Sequence, residues 1–428
     1  MSSILQLFDA STRPAPPHLP APPATADFTA YCQDLFGAMT RSDQRRWGTV
    51  YVRGLLDVPG RKTPTRISEH VLGHRAVQQL QQFLHQSPWD SGPVRRRIAE
   101  RTNAVFRTEA WAVDEVVFAK NGDRTVGVAR QYAPSQGRTV NCQLAYATSL
   151  VGSGGGVPVN WRLMLPGRWD RDEPLRRQAH VPDGEHCRPR WSYVLEALDE
   201  MTDEWLLEPQ PVLADWRFDS DVEPLLKGLE ARGHGYLVEV SPSTAVTLPR
   251  PNAASPAARG TVAELAEHLS RRGERTAIAW YDRTAERMRR SQFLSAPALL
   301  RTDGARHSAP RRRPQVRTPP GPEDPHPRAH PPRSRYLVTD WPYGRPAPRA
   351  HWLTNLPARR LHETIALAQL RALSGEGLRR LQDEFGLGDF EGRSFRGWHH
   401  HVTLASAALA FDALTRHAEE EWLSGQGG

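Results

Sequence analysis

Lysine is almost missing from this chain: of its 56 basic residues only Lys62, Lys120 and Lys227 are lysine, and the rest are arginine. Cysteine is equally scarce. Cys32, Cys142 and Cys187 are scattered, odd in number and free of metal-ligand spacing, which excludes a disulfide framework and a zinc site and fits a reducing, intracellular setting. No run of 18 apolar residues occurs, so no membrane-spanning helix is expected. The first residues carry no positive region ahead of their short apolar stretch, so no secretory signal is expected either, and the reading is cytoplasmic.

What the chain does have is length and positive charge. Its 428 residues allow about two to four domains and a sizeable core. The net charge is +8. Arginine forks match phosphate geometry, so a basic surplus points towards nucleic acid, although a GC-rich coding sequence also writes arginine for lysine and enriches proline and alanine.

Composition shifts divide the chain. Residues 1–26 are rich in proline and alanine and read as a flexible arm. Residues 27–104 read as a helical N-terminal DNA-binding domain, with apolar residues at helical spacing over 27–46, 66–86 and 91–102. At Trp111 the period changes. WAVDEVVFAK, RTVGVARQYA and TVNCQLAYATSL predict three consecutive antiparallel strands, and GVPVNWRLMLP extends the sheet. A helix at 191–204, a strand at 211–216, a helix at 221–232 and a strand at 235–240 follow. Three antiparallel strands and then helix–strand–helix–strand predict an α/β fold: an RNase H-like mixed sheet flanked by helices, with helical segments at both ends. The core is read in two parts, 105–298 and 336–420, around a linker at 299–335. Within it, residues 301–335 hold nine Arg, nine Pro and three acids, a composition that cannot build a core. Helices at 360–385 and 399–420 close the C-terminal part.

Phosphodiester cleavage by two divalent metals needs hard oxygen ligands converging from separate parts of the chain. Asp114 and Glu115 form an acidic pair inside an apolar strand, where burial demands a reason. Neighbouring strand residues face opposite ways, so one of the two can reach a shared metal. Asp215 ends the short strand PVLAD, at the kind of C-terminal strand edge where α/β sheets place ligands. Each carboxylate alone also reads as an ordinary partner for an arginine. The glycines at 152 and 154–156 lack the Lys-Ser/Thr of a phosphate loop and read as a hairpin turn. His399, His400 and His401, being consecutive, cannot all face one metal.

The strand region at 111–145, with PVNWRLMLPGRWDRD, VLADW, GLGDFEGRSFRGWHHHVTLASAALAF and the N-terminal YVRGLL and LQQFLHQSPWD, resembles DDE-type insertion-sequence transposases, specifically the insertion-sequence-701-like group common in actinobacteria. The resemblance spans most of residues 30–250 and 350–412 and stops at the basic Pro-rich stretch. It implies a DNA endonuclease and strand transferase that cuts element ends and joins them to target DNA by in-line phosphoryl transfer. Its implied partners are double-stranded DNA (inverted-repeat ends and target) and a second copy in the DNA complex, with no membrane role and a nucleoid-associated location. It implies two Mg²⁺ or Mn²⁺ ions held by two Asp and one Glu, with the second Asp on Asp215. The first acid falls on Glu115, where relatives carry Asp, and Asp114 stands beside it. The third falls on Gly375, with Glu376 one residue on and about 100° round the helix. The candidate catalytic and metal-binding set is thus Asp114, Glu115, Asp215 and Glu376, and the candidate DNA contacts are Arg393, Arg396 and Trp398. These departures leave two readings open: an active transposase, or a catalytically inactive, degenerate or domesticated derivative that only binds DNA.

Overall fold

The computed structural model describes residues 27–425 apart from 220, 249–258, 283–286, 301–333 and 358–359. The arm at 1–26 and nearly all of the basic linker therefore lie outside the described residues. Five helices open the chain: α1 (Phe28–Leu35), α2 (Ser42–Asp57), α3 (Pro64–Leu72), α4 (Val77–His85) and α5 (Ser91–Phe106). Their starts carry the expected caps. Asp27 accepts from the amides of Thr29 and Ala30, Thr63 caps α3 with Pro64 in its first turn, and Asp90 accepts from Gly92, satisfying amides that have no partner inside the helix. The single apolar pattern over 27–46 is two helices, broken at 37–41.

The sheet begins with β1 (Ala110–Ala119), β2 (Ala129–Ala133), β3 (Arg138–Gly152) and β4 (Gly155–Leu163). Short helices α6 (Arg168–Arg171) and α7 (Glu173–Gln178) lead to α8 (Arg190–Asp199), β5 (Val212–Asp215), α9 (Glu223–Ala231) and β6 (Tyr236–Glu239). Then come β7 (Ala245–Thr247), β8 (Arg259–Thr261), α10 (Val262–Arg271), β9 (Thr276–Asp282), β10 (Arg287–Pro297) and β11 (Leu299–Leu300). Beyond the linker lie β12 (Tyr336–Pro342), β13 (Ala350–Thr354), α11 (Leu361–Asp383) and α12 (Phe395–Gly425).

Ten strands form one mixed sheet in the order β2-β3-β1-β5-β6-β13-β12-β10-β9, with β4 also on β3. β1, β5 and β6 are parallel, and their neighbours on both sides run antiparallel. The half from β4 through β3, β1 and β5 to β6 has the RNase H-like order, and β13, β12, β10 and β9 extend it. The expected neighbour order of the first three strands is corrected in one respect: β3, not β2, pairs with β1. β3 is fifteen residues long and buried over its C-terminal eleven, so it can lie along all of β1, while the half-exposed five-residue β2 is left with the start of β3.

The two faces of the sheet sort by strand parity. Ala110 and Ala112 of β1, Leu213 of β5 and Leu237 of β6 pack with Leu370 of α11. Trp111 and Val113, Val212 and Ala214, and Tyr236 and Val238 instead join the large core with α8, α9 and the helices of the chain's first part. α12 runs through that core, buried almost without interruption from Trp398 to Leu409. Trp398 meets Phe118 and Trp161 edge-on, and the Tyr31 hydroxyl donates to the Ala407 carbonyl.

Candidate active site

Parity decides which carboxylates can meet. Asp114 lies two residues beyond Ala112, Asp215 two beyond Leu213, and Glu239 two beyond Leu237, so all three share the α11 face. The register makes them neighbours: Val113 stands opposite Ala214, and Asp215 opposite Glu239. A row of three acids thus crosses the C-terminal ends of β5 and β6 and the adjoining part of β1. Their side chains are only 11%, 16% and 13% exposed, too buried to stand without partners.

The partners are arginines. Arg371 of α11 places Nη2 2.5 Å from Asp114 Oδ1, and its Nη1 lies 3.5 Å from Asp215 and 3.8 Å from Glu239. The Ser374 hydroxyl, nearly one turn on, donates to the other Asp114 oxygen at 2.7 Å. Arg217 forks onto Asp215, with Nε and Nη2 at 2.9 and 2.6 Å, and its Nε reaches Glu239 at 3.4 Å. Burial raises the Asp215 pKa, but the Arg217 fork and the charge of Arg371 outweigh it and hold the carboxyl below its usual value. For Glu239 burial dominates over the same arginines, and the Asp215 charge adds to it, so its pKa lies above the usual glutamate value. Burial disfavours the Arg371 cation, yet Asp114 and Asp215 more than compensate and its pKa is raised.

Glu115 points to the opposite face. Its carboxylate accepts from the Ser135 amide and hydroxyl at 3.1 and 3.0 Å and from Arg190 at 2.5 Å. Glu376 lies on the outer side of α11, half exposed and paired with Arg379 at 2.6 Å. Gly375 instead lines a cavity of about 270 Å³ together with Asp114, Glu239, Arg371 and Trp352. The structure thus brings together Asp114 and Asp215 of the expected set, and leaves Glu115 and Glu376 elsewhere. Glu239 carries the same signal that marks Asp114, an acid within an apolar strand (YLVEV). Arg371 carries no such signal, because one arginine among so many looks like any other.

Among the described residues, no three His, Cys, Asp or Glu side chains are grouped to hold a metal ion. As they stand, the donors do not fit two divalent ions. Both oxygens of Asp114 and of Asp215 are engaged, and two guanidinium charges stand against three carboxylates.

The other candidates resolve differently. His401 accepts from the Tyr51 hydroxyl at Nδ1 and faces the Leu387 carbonyl with Nε2, at 3.0 and 3.1 Å. His400 sits between two backbone carbonyls, and His399 lies against Arg95. These are packing residues of α12. The glycine-rich stretch is the β3–β4 turn. Trp398 is 1% exposed, so as a DNA contact it is corrected: its indole has no free face. Arg393 and Arg396 are exposed. Arg393 shares a cavity of about 400 Å³ with Arg61, Lys120 and Arg124, and Arg396 borders one of about 300 Å³ with Arg95 and Arg162. Part of the helical arginine content is internal: Arg97 and Arg101 both bind Asp34, and Arg95 is buried.

An acidic row on the central strands of an RNase H-like sheet is the setting of a nuclease. The profile of the DDE superfamily endonucleases matches residues 34–290, more than half of the chain, and the protein belongs to that family. The matched range holds Asp114, Glu115, Asp215 and Glu239, and ends before α11. Among curated proteins no sequence matches the chain. No helix among the described residues is long and apolar enough to cross a membrane.

Proposed function

We propose that the protein is a transposase-type DNA endonuclease and strand transferase of an insertion sequence, acting on the inverted-repeat ends of its element and on target DNA. The observation that carries this is the alignment of Asp114 and Asp215 on adjacent parallel strands, in a chain of the DDE superfamily endonucleases. In this proposal Asp114 and Asp215 face the scissile phosphate, Glu115 braces the opposite face of β1 through Arg190, and Glu376 takes no part. Arg393 and Arg396 contact the DNA backbone, and two copies pair the two ends.

Divalent metal, Mg²⁺ or Mn²⁺, is the cofactor that such a family calls for, and the arginine-paired donors do not fit it as they stand. The second reading is a catalytically silent derivative that binds DNA without cutting it. One assay separates the two. Purified protein is incubated with Mg²⁺ or Mn²⁺ and a plasmid bearing the element's ends, and nicks are mapped. Nicks at the ends that vanish with Asp215→Asn establish the first reading. Retained DNA binding with no metal-dependent nick establishes the second.

A further inference from the structure

The far half of the sheet carries a cluster that the acidic row does not explain. Among the large apolar side chains that stand exposed in the described residues, three meet on one patch: Tyr281 of β9, Met288 of β10 and Tyr343, just past the end of β12, at 53%, 64% and 48% exposure. Single exposed apolar residues are ordinary, but a cluster of them marks a contact surface. We infer that this face is a stacking platform for the unpaired bases of a single-stranded DNA segment, separate from the acidic row and independent of its chemistry.

Register puts the cluster on one face. Tyr281 is the direct partner of Met288 across the β9–β10 pair, and Arg290 lies two residues beyond Met288, so it projects from the same side. Ser291 pairs with Pro342, which brings Tyr343 alongside Arg290, whose guanidinium carbon lies 5.4 Å from the centre of the Tyr343 ring. The two tyrosines thus flank β10 from its two neighbours, separated by two strand spacings, about 10 Å, measured across the strands. On the same face at the other end of β10, Leu294 and Ala296 join the core that holds Leu265 and Leu269 of α10, whereas Met288 and Arg290 are exposed.

Charge selects the occupant. Arg287, Arg290 and Arg345 are exposed on or beside the patch, and among the described residues none of the three pairs with an acid. The described acids of these strands, Asp282 and Asp340, have the parity of the α11 face, where they are buried and bind Arg289 and Arg349. The patch is therefore aromatic and positively charged. A second copy of the same face would set like charges against each other, and the stretch 301–335, with nine Arg and three acids, has the wrong charge to cover it. A single DNA strand suits both features: its phosphates match arginine forks, and its bases, unlike those of a duplex, offer free faces to tyrosine rings.

The test is fluorescence anisotropy of the full chain with three labelled probes of one length: an oligothymidine strand, the same backbone lacking its bases, and a duplex. Tyr281→Thr and Tyr343→Ala are each expected to weaken oligothymidine binding about tenfold, the loss of one stacked base, and to leave the abasic strand and the duplex unchanged. Tyr281→Phe, which keeps the ring, is expected to bind as the unaltered chain does. Arg290→Gln is expected to weaken the oligothymidine and the abasic strand alike and to flatten the single-strand salt slope by about 0.7. Should a tyrosine variant melt early, the unaltered chain carries the test, because stacking requires it to bind the oligothymidine more tightly than the abasic strand. Unchanged oligothymidine affinity in the tyrosine variants, an equal loss on the duplex or the abasic strand, or no advantage of bases on the unaltered chain would overturn the inference. So would light scattering in which these variants turn a dimer into a monomer with single-strand affinity intact, since the face would then be a contact between copies. Nicking plays no part in these readouts, so failure of the proposed endonuclease and failure of the platform are told apart.

Discussion

Two glycines two residues apart on α11 should respond to the same substitution with opposite signs. Gly377 is buried where the helix crosses β4, and a Cβ built on it would lie 2.1 Å from the Gly156 carbonyl oxygen. Gly375 is exposed, and a Cβ there meets nothing within 4 Å. In an open helix position Gly→Ala gains about 1 kcal/mol from reduced backbone freedom. Gly375→Ala should therefore stabilise the protein by about that amount. At Gly377 the same gain is set against a collision with backbone, which cannot rotate away, and overpacking of this kind costs about 1–3 kcal/mol or more. The pair should differ by about 2 kcal/mol in unfolding free energy, with Gly377→Ala the less stable. Urea unfolding followed by circular dichroism reads the difference directly as a shift in midpoint. A second readout follows from the same geometry. The crossing seats Ser374 and Arg371 against β1, so Gly377→Ala should also loosen Asp114 and increase hydrogen exchange at the end of β1, which Gly375→Ala should not. Equal stability of the two variants would refute the reasoning, since it would mean that α11 is not held by this backbone contact.

Other consequences can be checked independently. If Arg393 and Arg396 contact phosphates, DNA affinity should fall with salt at a log–log slope of about −0.9 per neutralised phosphate, and each Arg→Ala change should flatten the slope by about one unit in fluorescence anisotropy; an unchanged slope removes that residue from the interface. Trp398→Ala should instead cost about 3–5 kcal/mol of stability as a truncation of a core aromatic, with the salt slope of the folded fraction preserved, measured by the same two methods. Burial lowers the His401 pKa from 6.5 to about 4, and the Tyr51 and Leu387 contacts suit its neutral tautomer. A depressed folded-state pKa contributes stability that is complete above the unfolded value and disappears as pH falls through the folded one. The protein should thus lose about 3 kcal/mol between pH 6.5 and 4 from this group, and His401→Gln, which keeps a donor and an acceptor, should flatten the stability profile in that window.

The difference between what the sequence reveals and what it hides at this site has a physical basis. Strand and helix periods follow from burial, so WAVDEVVFAK, PVLAD and the helix over 360–385 are readable, and the α/β architecture follows from their order. Parity is equally local: residues 114 and 115 had to separate onto two faces. Which face matters, however, depends on where α11 docks, and α11 is more than 240 residues away in sequence. The glycines of Ser374-Gly375-Glu376-Gly377 read locally as helix-weakening, yet the helix runs unbroken through them, because Gly377 gains a close approach to Gly156 that no local scale contains. The same limit hid Arg371. A carboxylate within an apolar strand stands out because burial penalises it, whereas an arginine on a half-exposed helix is unremarkable until the fold brings an acidic row beneath it. Polar residues that burial should forbid can therefore be found from sequence alone, and the groups that compensate them only from the fold. In this protein the compensating groups change the reading: the three acids alone suggest a metal site, and Arg371 and Arg217 already pair them.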